Sequence, residues 1–418
     1  MIFPVLPLLV GSVVLSVSTQ NATEKNSAPT SITATSSQAA SSTAGANEKS
    51  EASTDNKAQE RSKEPPHDSE GVKPPEGFQW KLWAKEPLVA DPVSFTVLND
   101  GSLMVVESSR QDRGVEDNRY SPWWLMEDLR ARTVEDRMAI YTKWASKRVN
   151  GMDWYTKYAD RVKHVTDTNG GGVADTAVNF SGELNEPLDG TAAGVLQVGD
   201  SVFVTCIPNL WRFQDKDGDG VAEVREKMFT GFGVKTSLRG HDMHGLVLGM
   251  DGRLYWSIGD RGYNVRTKEG AVLQDAARGA VFRCELDGSN LEVVFRGLRN
   301  PQELAFNDLG DLFTVDNNSD GGDKARIEYL PDGGDVGWEM HYQTLEGANK
   351  RGPWEQEHEW FMFDPTDVVQ PAWLTPPVAH LTDGPSGLVA YPGVGFPEKY
   401  NGAMFICCLL YTSDAADE

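Results

Sequence analysis

The stretch DGRLYWSIGDRG (251–262) begins with an Asp-Gly turn, continues as an apolar run rich in aromatic residues, and ends with a second turn signal. An apolar run bounded by Gly and Asp in this way predicts a β-strand. The same unit recurs along the chain, each time as an apolar run led by Gly or Asp-Gly: DGSLMVVES (100–108), GDSVFVTCIPNLWRF (199–213), LGDLFTVDNNSDGG (309–322) and GAMFICC (402–408). The sequence therefore contains an internal β repeat.

The spacing of these copies predicts the fold class. The copies that begin at 199, 251 and 309 follow one another at intervals of about 50–60 residues, the length of a four-stranded propeller blade. The wider first gap contains SPWWLMEDLRARTVEDRMAIYTKWASKR (121–148), whose apolar residues recur at three-and-four spacing and predict a helical insertion near 121–160. About 285 residues of β pattern then predict an all-β, six-bladed β-propeller, incomplete at its C-terminus. A β-sandwich or a solenoid is the alternative.

The N-terminal part of the chain has a different composition. Residues 2–18 are uncharged and mostly apolar and end in a small-x-small pattern, which predicts a signal peptide over 1–18, although no Lys or Arg precedes Lys25. An uncleaved membrane anchor is the alternative. Residues 19–75 are rich in Ser, Thr, Ala and Glu and predict a disordered linker. We therefore expect an exported protein, periplasmic or at the cell surface, that is tethered to a membrane through its N-terminus.

The remaining boundaries and the charge limit the possible partners. The propeller is predicted over 76–407, and the tail 408–418 has no periodicity and is expected to be non-native, with the natural downstream part missing. The chain carries 62 acidic and 39 basic residues, a net charge of −23, which argues against nucleic acid as a partner. The four cysteines form no CxxC or His/Cys cluster, so the sequence contains no zinc or c-type haem motif.

The hairpin predicted around 250–251 brings a histidine and an aspartate together. His241 lies 9.5 positions before the midpoint of the Met250-Asp251 turn, and Asp260 lies 9.5 positions after it. Residues equidistant from a hairpin turn face each other across an antiparallel pair, although a bulge at Gly252 would shift the register by one. A carboxylate that accepts the imidazole Nδ1–H leaves the other nitrogen free to act as a base. Catalytic His241 and Asp260 are therefore predicted, with a structural histidine and a turn-capping aspartate as the alternative.

A second pattern predicts a metal loop. DKDGDGVAEVRE (215–226) fits the spacing of a calcium-binding loop, with oxygen ligands at the positions of Asp215, Asp217, Asp219, Glu223 and Glu226. A strand pattern precedes it, so a calcium loop between blade strands is expected; an Asp/Gly-rich turn without an ion is the alternative. A related copy, DTNGGGVAD (167–175), aligns with this loop and suggests neighbouring blades.

Three motifs resemble a known family. The segment HDMHGLVLGMDGRLYWSIGDRG (241–262) resembles the H-x4-L-x2-G-x-D-G-x-L-Y-x3-GD-x-G element of soluble sugar dehydrogenases that depend on pyrroloquinoline quinone (PQQ). GLRNPQELAF (297–306) and GGDVGWEMHY (333–342) resemble two further elements of that family. Those enzymes are six-bladed propellers with the quinone flat across the central face. The resemblance implies that His241 is the general base and Asp260 its orienting carboxylate, and that Arg299 and Asn300 contact the quinone.

The chain also departs from that family and resembles a second one. Glu303 stands where the sugar dehydrogenases carry Gly, and Val336 and Glu339 replace the Tyr and Pro of their third element. The region from about 74 to 407 resembles more closely the membrane-bound dehydrogenase propeller of PVC-type haem-binding proteins. In those proteins helical repeats and a CxxCH cytochrome module follow the propeller, which implies a cytochrome c-type electron acceptor in the missing C-terminal part.

These features lead to three functional hypotheses. The first is a PQQ-dependent dehydrogenase of a small carbohydrate or alcohol, with PQQ and calcium as cofactors. The second is a propeller that binds glycan or protein without catalysis. The third is a calcium-dependent hydrolase of the lactonase type.

Overall fold

In the computed structural model, the described residues are 6–10, 13–18, 79–318, 324–342, 375–381, 384–393 and 395–408. They form an almost entirely β structure. The first three strands, β1 (Leu6–Val10), β2 (Val13–Ser18) and β3 (Gln79–Ala84), make one antiparallel sheet. The predicted signal peptide thus contributes two strands to this sheet, and its processing stays a prediction. Residues 19–78 and 409–418 lie outside the described residues, and so do the predicted linker and most of the predicted tail.

Four antiparallel four-stranded sheets follow along the chain. The first contains β4 (Pro92–Val97), β5 (Leu103–Glu107), β6 (Arg161–Thr166) and β7 (Thr176–Asn179). The second contains β8 (Ala192–Val198), β9 (Ser201–Cys206), β10 (Asn209–Gln214) and β11 (Val224–Thr230). The first sheet contains the helical insertion between β5 and β6, and the third and fourth sheets also have a long connection between two of their strands.

The third sheet contains β12 (Met243–Leu248), β13 (Leu254–Ile258), β16 (Gly279–Cys284) and β17 (Glu292–Leu298), and a separate hairpin of β14 (Tyr263–Arg266) and β15 (Val272–Asp275) is inserted in it. The fourth contains β18 (Pro301–Phe306), β19 (Leu312–Asp316), β20 (Arg326–Tyr329) and β21 (Ala379–His380). A final antiparallel pair is formed by β22 (Pro385–Ala390) and β23 (Met404–Cys408).

The sheets are arranged as the blades of a propeller. Their first strands, β4, β8, β12, β18 and β22, contact one another in that order, so each blade is packed face to face on the next. Separate apolar clusters fill the space between successive blades; Phe229, Trp256 and Phe282, for example, stack between the second and third. Burial of apolar side chains between sheets is the main favourable contribution to the stability of such a fold.

The prediction of six blades is wrong for the described residues, which form four complete blades and the two strands β22 and β23. The β periodicity correctly located the second strand of each sheet, because the five predicted copies coincide with β5, β9, β13, β19 and β23. It overestimated the number of blades because other segments consume chain length. Within the described residues the segment that was not predicted is the β14–β15 hairpin, and residues 343–374 lie outside the described part of the chain.

The helical insertion is confirmed. It comprises the short 3-10 helix Pro122–Trp124, α1 (Leu125–Arg130), α2 (Val134–Trp144), and the 3-10 helices Ala145–Lys147 and Gly151–Tyr155. Trp124, Tyr141 and Tyr155 are buried together in its core, and the Tyr141 and Tyr155 rings are stacked with centroids 4.8 Å apart. Among the described residues, none of the helices has both the length and the apolar character needed to span a bilayer.

Candidate active site

His241 and Asp260 lie at the same edge of the third blade and are in contact. Nδ1 of His241 is 2.8 Å from Oδ1 of Asp260, and both side chains are buried. Near the turn Leu248 pairs with Leu254, which centres the hairpin on residue 251, whereas Met243 pairs with Ile258, which centres it between 250 and 251. A bulge at the turn shifts the pairing by one residue, and the second register shift, between His244 and Val247, restores it. His241 therefore faces Asp260, as predicted.

Gly259 makes room for this arrangement. A Cβ atom at position 259 would lie 2.9 Å from Cβ of His241 and 3.0 Å from the carbonyl oxygen of Arg299. Real Cβ atoms do not approach other heavy atoms so closely, so any larger residue would push the neighbouring segments apart. The backbone N–H of Gly259 donates to the carbonyl oxygen of Asp242, and that of Asp260 donates to the carbonyl oxygen of Arg299. Glycine therefore allows three segments of chain to converge.

The Asp260 carboxylate is held by several donors. Besides facing His241, its Oδ1 accepts a hydrogen bond of 2.7 Å from the Ser237 hydroxyl, and its Oδ2 accepts one of 2.9 Å from the indole Nε1–H of Trp338. Burial raises the pKa of the Asp260 carboxyl, but the charges of His241 and Arg299 and the Ser237 hydroxyl outweigh that effect and hold the pKa below its usual value. Asp260 is therefore ionised at neutral pH.

This ionised carboxylate determines which nitrogen of His241 carries the proton. A carboxylate only accepts hydrogen bonds, so Nδ1 of His241 must be the donor in their contact. In the neutral imidazole Nε2 then has an unprotonated lone pair, which can accept a proton. His244 has a different environment: Nε2 lies 2.9 Å from the carbonyl oxygen of Gly240, and burial lowers its pKa. His244 is thus a structural histidine, whereas His241 has the geometry of a general base.

Arg299 and Asn300 lie beside this pair, in the segment that connects β17 to β18. Their backbone N–H groups both donate to the Asp316 carboxylate at the end of β19, at 3.1 and 2.6 Å. The Arg299 guanidinium carbon lies 5.9 Å from the ring centroid of Trp338. The side-chain Oδ1 of Asn300 is buried and accepts no hydrogen bond within the described part of the chain. The two residues predicted to contact a cofactor are therefore next to the predicted base.

The predicted metal ligands are brought together in part. Carboxylate oxygens of Asp215, Asp217, Asp219 and Glu223 all lie within 4.8 Å of one another, in the loop between β10 and β11. Glu226 does not belong to this group: it lies on β11, where its carboxylate pairs with the Arg212 guanidinium at 2.5 Å. The twelve-residue spacing placed Glu226 among the ligands, but the strand begins at Val224 and carries Glu226 away. Its assignment as a ligand is corrected accordingly.

This acidic loop lies at the opposite edge of the propeller from His241. In an antiparallel blade the connections between strands one and two and between strands three and four share one edge, and the other connections share the opposite edge. His241 precedes the first strand of its blade and Asp260 follows the second, whereas the acidic loop connects the third strand to the fourth. The cluster is therefore no part of the site around His241.

Comparison with known proteins defines the family. The model of a family described as a domain of unknown function, DUF7133, matches residues 65–409. The chain belongs to this family. No curated protein matches its sequence.

Several solved structures are similar in fold. The PQQ-bound aldose sugar dehydrogenase of Streptomyces coelicolor is 16% identical, with 76% of this chain and 74% of that chain covered and a TM-score of 0.41. The calcium structure of a Trichoderma reesei carbohydrate-active enzyme of family AA12 is 12% identical, with the same coverage and a TM-score of 0.43. The PQQ domain of pyranose dehydrogenase from Coprinopsis cinerea, in its holo form, is 12% identical, with 58% and 51% covered and a TM-score of 0.34.

Several residues of the site in this DUF7133 chain carry no signal in the sequence. Ser237 and the buried ion pair of Arg261 with Asp242 were not predicted, and Trp338 was recognised only within a motif. No local spacing signals them, because Ser237 reaches Asp260 across 23 positions of chain and Trp338 reaches it across 78. Glu303, at a position where the sequence departs from the sugar dehydrogenases, is half-buried on β18, and desolvation raises the pKa of its carboxyl to about 8.

Proposed function

We propose that this protein is an exported, PQQ-dependent dehydrogenase that oxidises a hydroxyl group of a sugar or another small alcohol. The observation that carries the proposal is the contact of 2.8 Å between His241 and the ionised Asp260. A carboxylate that orients an imidazole is the arrangement that general-base catalysis uses to remove a proton from a hydroxyl group. The three motifs that resemble PQQ-dependent sugar dehydrogenases support the same reaction class.

The chemistry of the residues follows from their geometry. The substrate hydroxyl donates a hydrogen bond to Nε2 of His241, which takes its proton as the carbon–hydrogen bond is broken. Asp260 stabilises the imidazolium that results, and the Trp338 indole and Ser237 hydroxyl keep the carboxylate in place. Loss of the proton from oxygen and of a hydride from carbon converts the alcohol to a carbonyl compound. PQQ, when bound, supplies the acceptor for that hydride.

The residues beside His241 fit a planar, carboxylated cofactor. Arg299 offers a guanidinium group, which suits a carboxylate. The buried Oδ1 of Asn300, which accepts no hydrogen bond within the described residues, suits a donor group such as a ring N–H. Trp338 provides an aromatic ring whose centroid lies 5.9 Å from the Arg299 guanidinium carbon. These three residues are therefore the ones that would hold PQQ against the base.

The proposal also includes a calcium ion, an electron acceptor and a location outside the cytoplasm. The acidic loop of Asp215, Asp217, Asp219 and Glu223 binds calcium as a structural ion, because it lies at the edge opposite His241. Electrons leave to a cytochrome c-type acceptor, as the resemblance to haem-binding proteins implies. The protein acts outside the cytoplasm, held to a membrane through its N-terminus.

A dye-reduction assay tests the proposal. The purified protein is incubated with PQQ and calcium, and reduction of an electron-accepting dye is followed with a panel of aldoses and alcohols. We expect reduction that depends on PQQ and on a hydroxylated substrate and that is lost in His241→Ala. Equal rates in the wild type and in His241→Ala would exclude His241 as the base. Calcium-dependent hydrolysis of a lactone without PQQ would favour a hydrolase, and binding of a glycan without turnover would favour a non-catalytic propeller.

A further inference from the structure

A chain of hydrogen bonds connects the helical insertion to the site. At the C-terminal end of α1, the Lys235 ammonium donates to the carbonyl oxygens of Asp128, Leu129 and Ala131, at 3.1, 2.8 and 3.0 Å. The last carbonyls of a helix have no partners within the helix and carry its negative end, so a buried cation is a suitable partner for them. Lys235 therefore attaches the insertion to the segment that precedes His241.

Asp128 of α1 holds the next two residues of that segment. Its side chain is fully buried, and its Oδ1 accepts a hydrogen bond of 2.7 Å from the backbone N–H of Thr236. Its Oδ2 accepts from the backbone N–H of Ser237 at 3.3 Å and from the Asn118 amide at 2.7 Å. The backbone N–H of Asn118 in turn donates to the carbonyl oxygen of Ser237 at 2.9 Å. Both backbone groups of Ser237 are thus fixed from the insertion side.

Ser237 has an unusual backbone conformation. Its φ is +47°, in the left-handed region that residues other than glycine rarely adopt. A serine stays in this region only where its surroundings determine the conformation. The result is that its Oγ lies 2.7 Å from Oδ1 of Asp260, the same oxygen that faces Nδ1 of His241. The contacts from the insertion therefore determine the position of a hydroxyl group in the site.

We propose that Ser237 is a positioning residue for the His241–Asp260 pair and that Asp128 of the helical insertion sets its position. The Ser237 hydroxyl donates to the charged carboxylate, keeps it ionised and fixes the orientation in which Oδ1 faces the imidazole. Its catalytic consequence rests on the proposed function. The structural part of the proposal, that Asp128 and Ser237 control the protonation and orientation of Asp260, does not depend on which reaction the protein catalyses.

The direct test is the titration of the Asp260 carboxyl, followed by carbon-13 NMR on the protein without added cofactor or substrate and assigned with Asp260→Asn. Removal of a donor to the charged form raises the titration midpoint, so Ser237→Ala and Ser237→Gly are expected to raise it by about one pH unit. Ser237→Gly also relieves the left-handed backbone, so it folds even if Ser237→Ala does not. Asp128→Asn is expected to shift the midpoint in the same direction by a smaller amount.

Ser257→Ala is the matched control. Ser257 is also a fully buried serine of the third blade, and its hydroxyl donates to the carbonyl oxygens of His244 and Pro301, not to Asp260. This variant is expected to leave the Asp260 midpoint unchanged. Unchanged midpoints in Ser237→Gly and Asp128→Asn would overturn the inference, and so would an equal shift in Ser257→Ala.

Enzyme kinetics separate this inference from the proposed function. Without the Ser237 hydroxyl the carboxylate that orients His241 is held less firmly, so kcat/KM is expected to fall in Ser237→Gly, whereas Ser257→Ala is expected to keep the wild-type value. If the wild type oxidises no alcohol but the midpoints shift, the proposed function fails and the connection holds. If oxidation depends on His241 but the midpoints do not shift, the function holds and the positioning role is refuted.

Discussion

Asp260 is the residue on which the geometry of the site depends. Its two oxygens contact three side chains: those of Ser237 and His241, which lie in one segment before β12, and that of Trp338, which lies far along the chain. Each of these contacts favours the ionised form of the carboxyl or fixes its orientation. A carboxylate that is ionised and immobile can keep the imidazole in one tautomer, which a mobile one cannot.

The first prediction at this scale concerns Asp260→Asn. The amide has the shape of the carboxyl but can present an N–H to His241, which would favour the tautomer with the proton on Nε2 and block the base. We expect the rate of dye reduction to fall by about 10⁴-fold, with the fold retained. Asp251→Asn, at the exposed tip of the same hairpin, is the control and should keep its activity. A decrease of less than about threefold in Asp260→Asn would contradict the role of the carboxylate.

A second prediction concerns the space at Gly259. In Gly259→Ala the new methyl group would displace His241 or Arg299, and we expect a loss of activity of about 10²-fold and a loss of stability of about 1–3 kcal/mol. Gly387→Ala is the matched control, because its Cβ would lie 3.6 Å from Cβ of Cys407, an ordinary contact. Activity and melting temperature are measured on both variants. Equal changes of activity and melting temperature in the two variants would show that the site does not depend on the space at Gly259.

The sequence predicts this residue-scale geometry only where the partners lie in one hairpin. His241 and Asp260 were paired from their equal distance to a turn, an argument that needs only the antiparallel register. Ser237 and Asp128 are 109 positions apart in the chain, and their contact depends on how the insertion is packed. No periodicity contains that information, and so the support of Asp260 by the insertion became visible only in the structure.

At the scale of elements, two features recur from blade to blade: a glycine with positive φ in the loop after the first strand, and a register shift within the first strand. The loops after β4, β12 and β18 each contain a glycine with positive φ, namely Gly101, Gly252 and Gly310. The first strand of every blade also carries a register shift, at Pro92/Ser94, Ala192/Gly194, His244/Val247, Pro301/Leu304 and Pro385/Gly387. Bulges bend a strand and change the direction of its side chains. These bulges lie towards the edge that carries His241, where the site is built.

The prediction at this scale concerns the helical insertion. Thr133 caps α2: its hydroxyl accepts from the backbone N–H of Asp136 at 3.1 Å, and the Asp136 carboxylate accepts from the backbone N–H of Thr133 at 3.0 Å. We expect Thr133→Ala to lower the free energy of unfolding by about 1 kcal/mol, measured by chemical denaturation. Thr142→Ala, in the interior of the same helix, is the control and should cost nothing, since alanine favours a helix.

Elements were predictable where a pattern is local. The Asp-Gly turns followed by apolar runs located the second strands, and three-and-four spacing located the insertion. The acidic loop was predicted from its spacing, but Glu226 was included wrongly because β11 begins at Val224. The end of a loop depends on where strand pairing starts, and pairing with β10 is a contact between different parts of the chain.

At the scale of the whole molecule, the propeller separates two polar regions. His241 and its neighbours lie at one edge of the blades, and the acidic loop lies at the other. The number of blades in the described part of the chain could not be predicted, because the β14–β15 hairpin occupies chain length that the prediction assigned to blade strands. The order of the blades, by contrast, follows from the sequence, since each sheet is made almost entirely of consecutive strands.

This separation leads to a prediction about calcium. Saturating calcium is expected to raise the melting temperature by a few degrees, about 2–5 °C, because it binds only the folded loop. Asp217→Asn should abolish that increase without changing kcat for dye reduction. Glu226→Gln is the matched control and should keep the increase, since Glu226 pairs with Arg212 outside the cluster. Loss of the increase in Glu226→Gln as well would contradict the four-residue assignment.

The most direct test of the account is the tautomer of His241, measured by nitrogen-15 NMR on the purified protein near pH 7.5 and assigned with His241→Gln. The contact with Asp260 predicts that, in the neutral imidazole, Nδ1 carries the proton and Nε2 has the chemical shift of an unprotonated nitrogen. The same pattern should disappear in Asp260→Asn. A proton on Nε2 in the wild type would show that His241 cannot accept a proton there, and the proposed general base would be refuted.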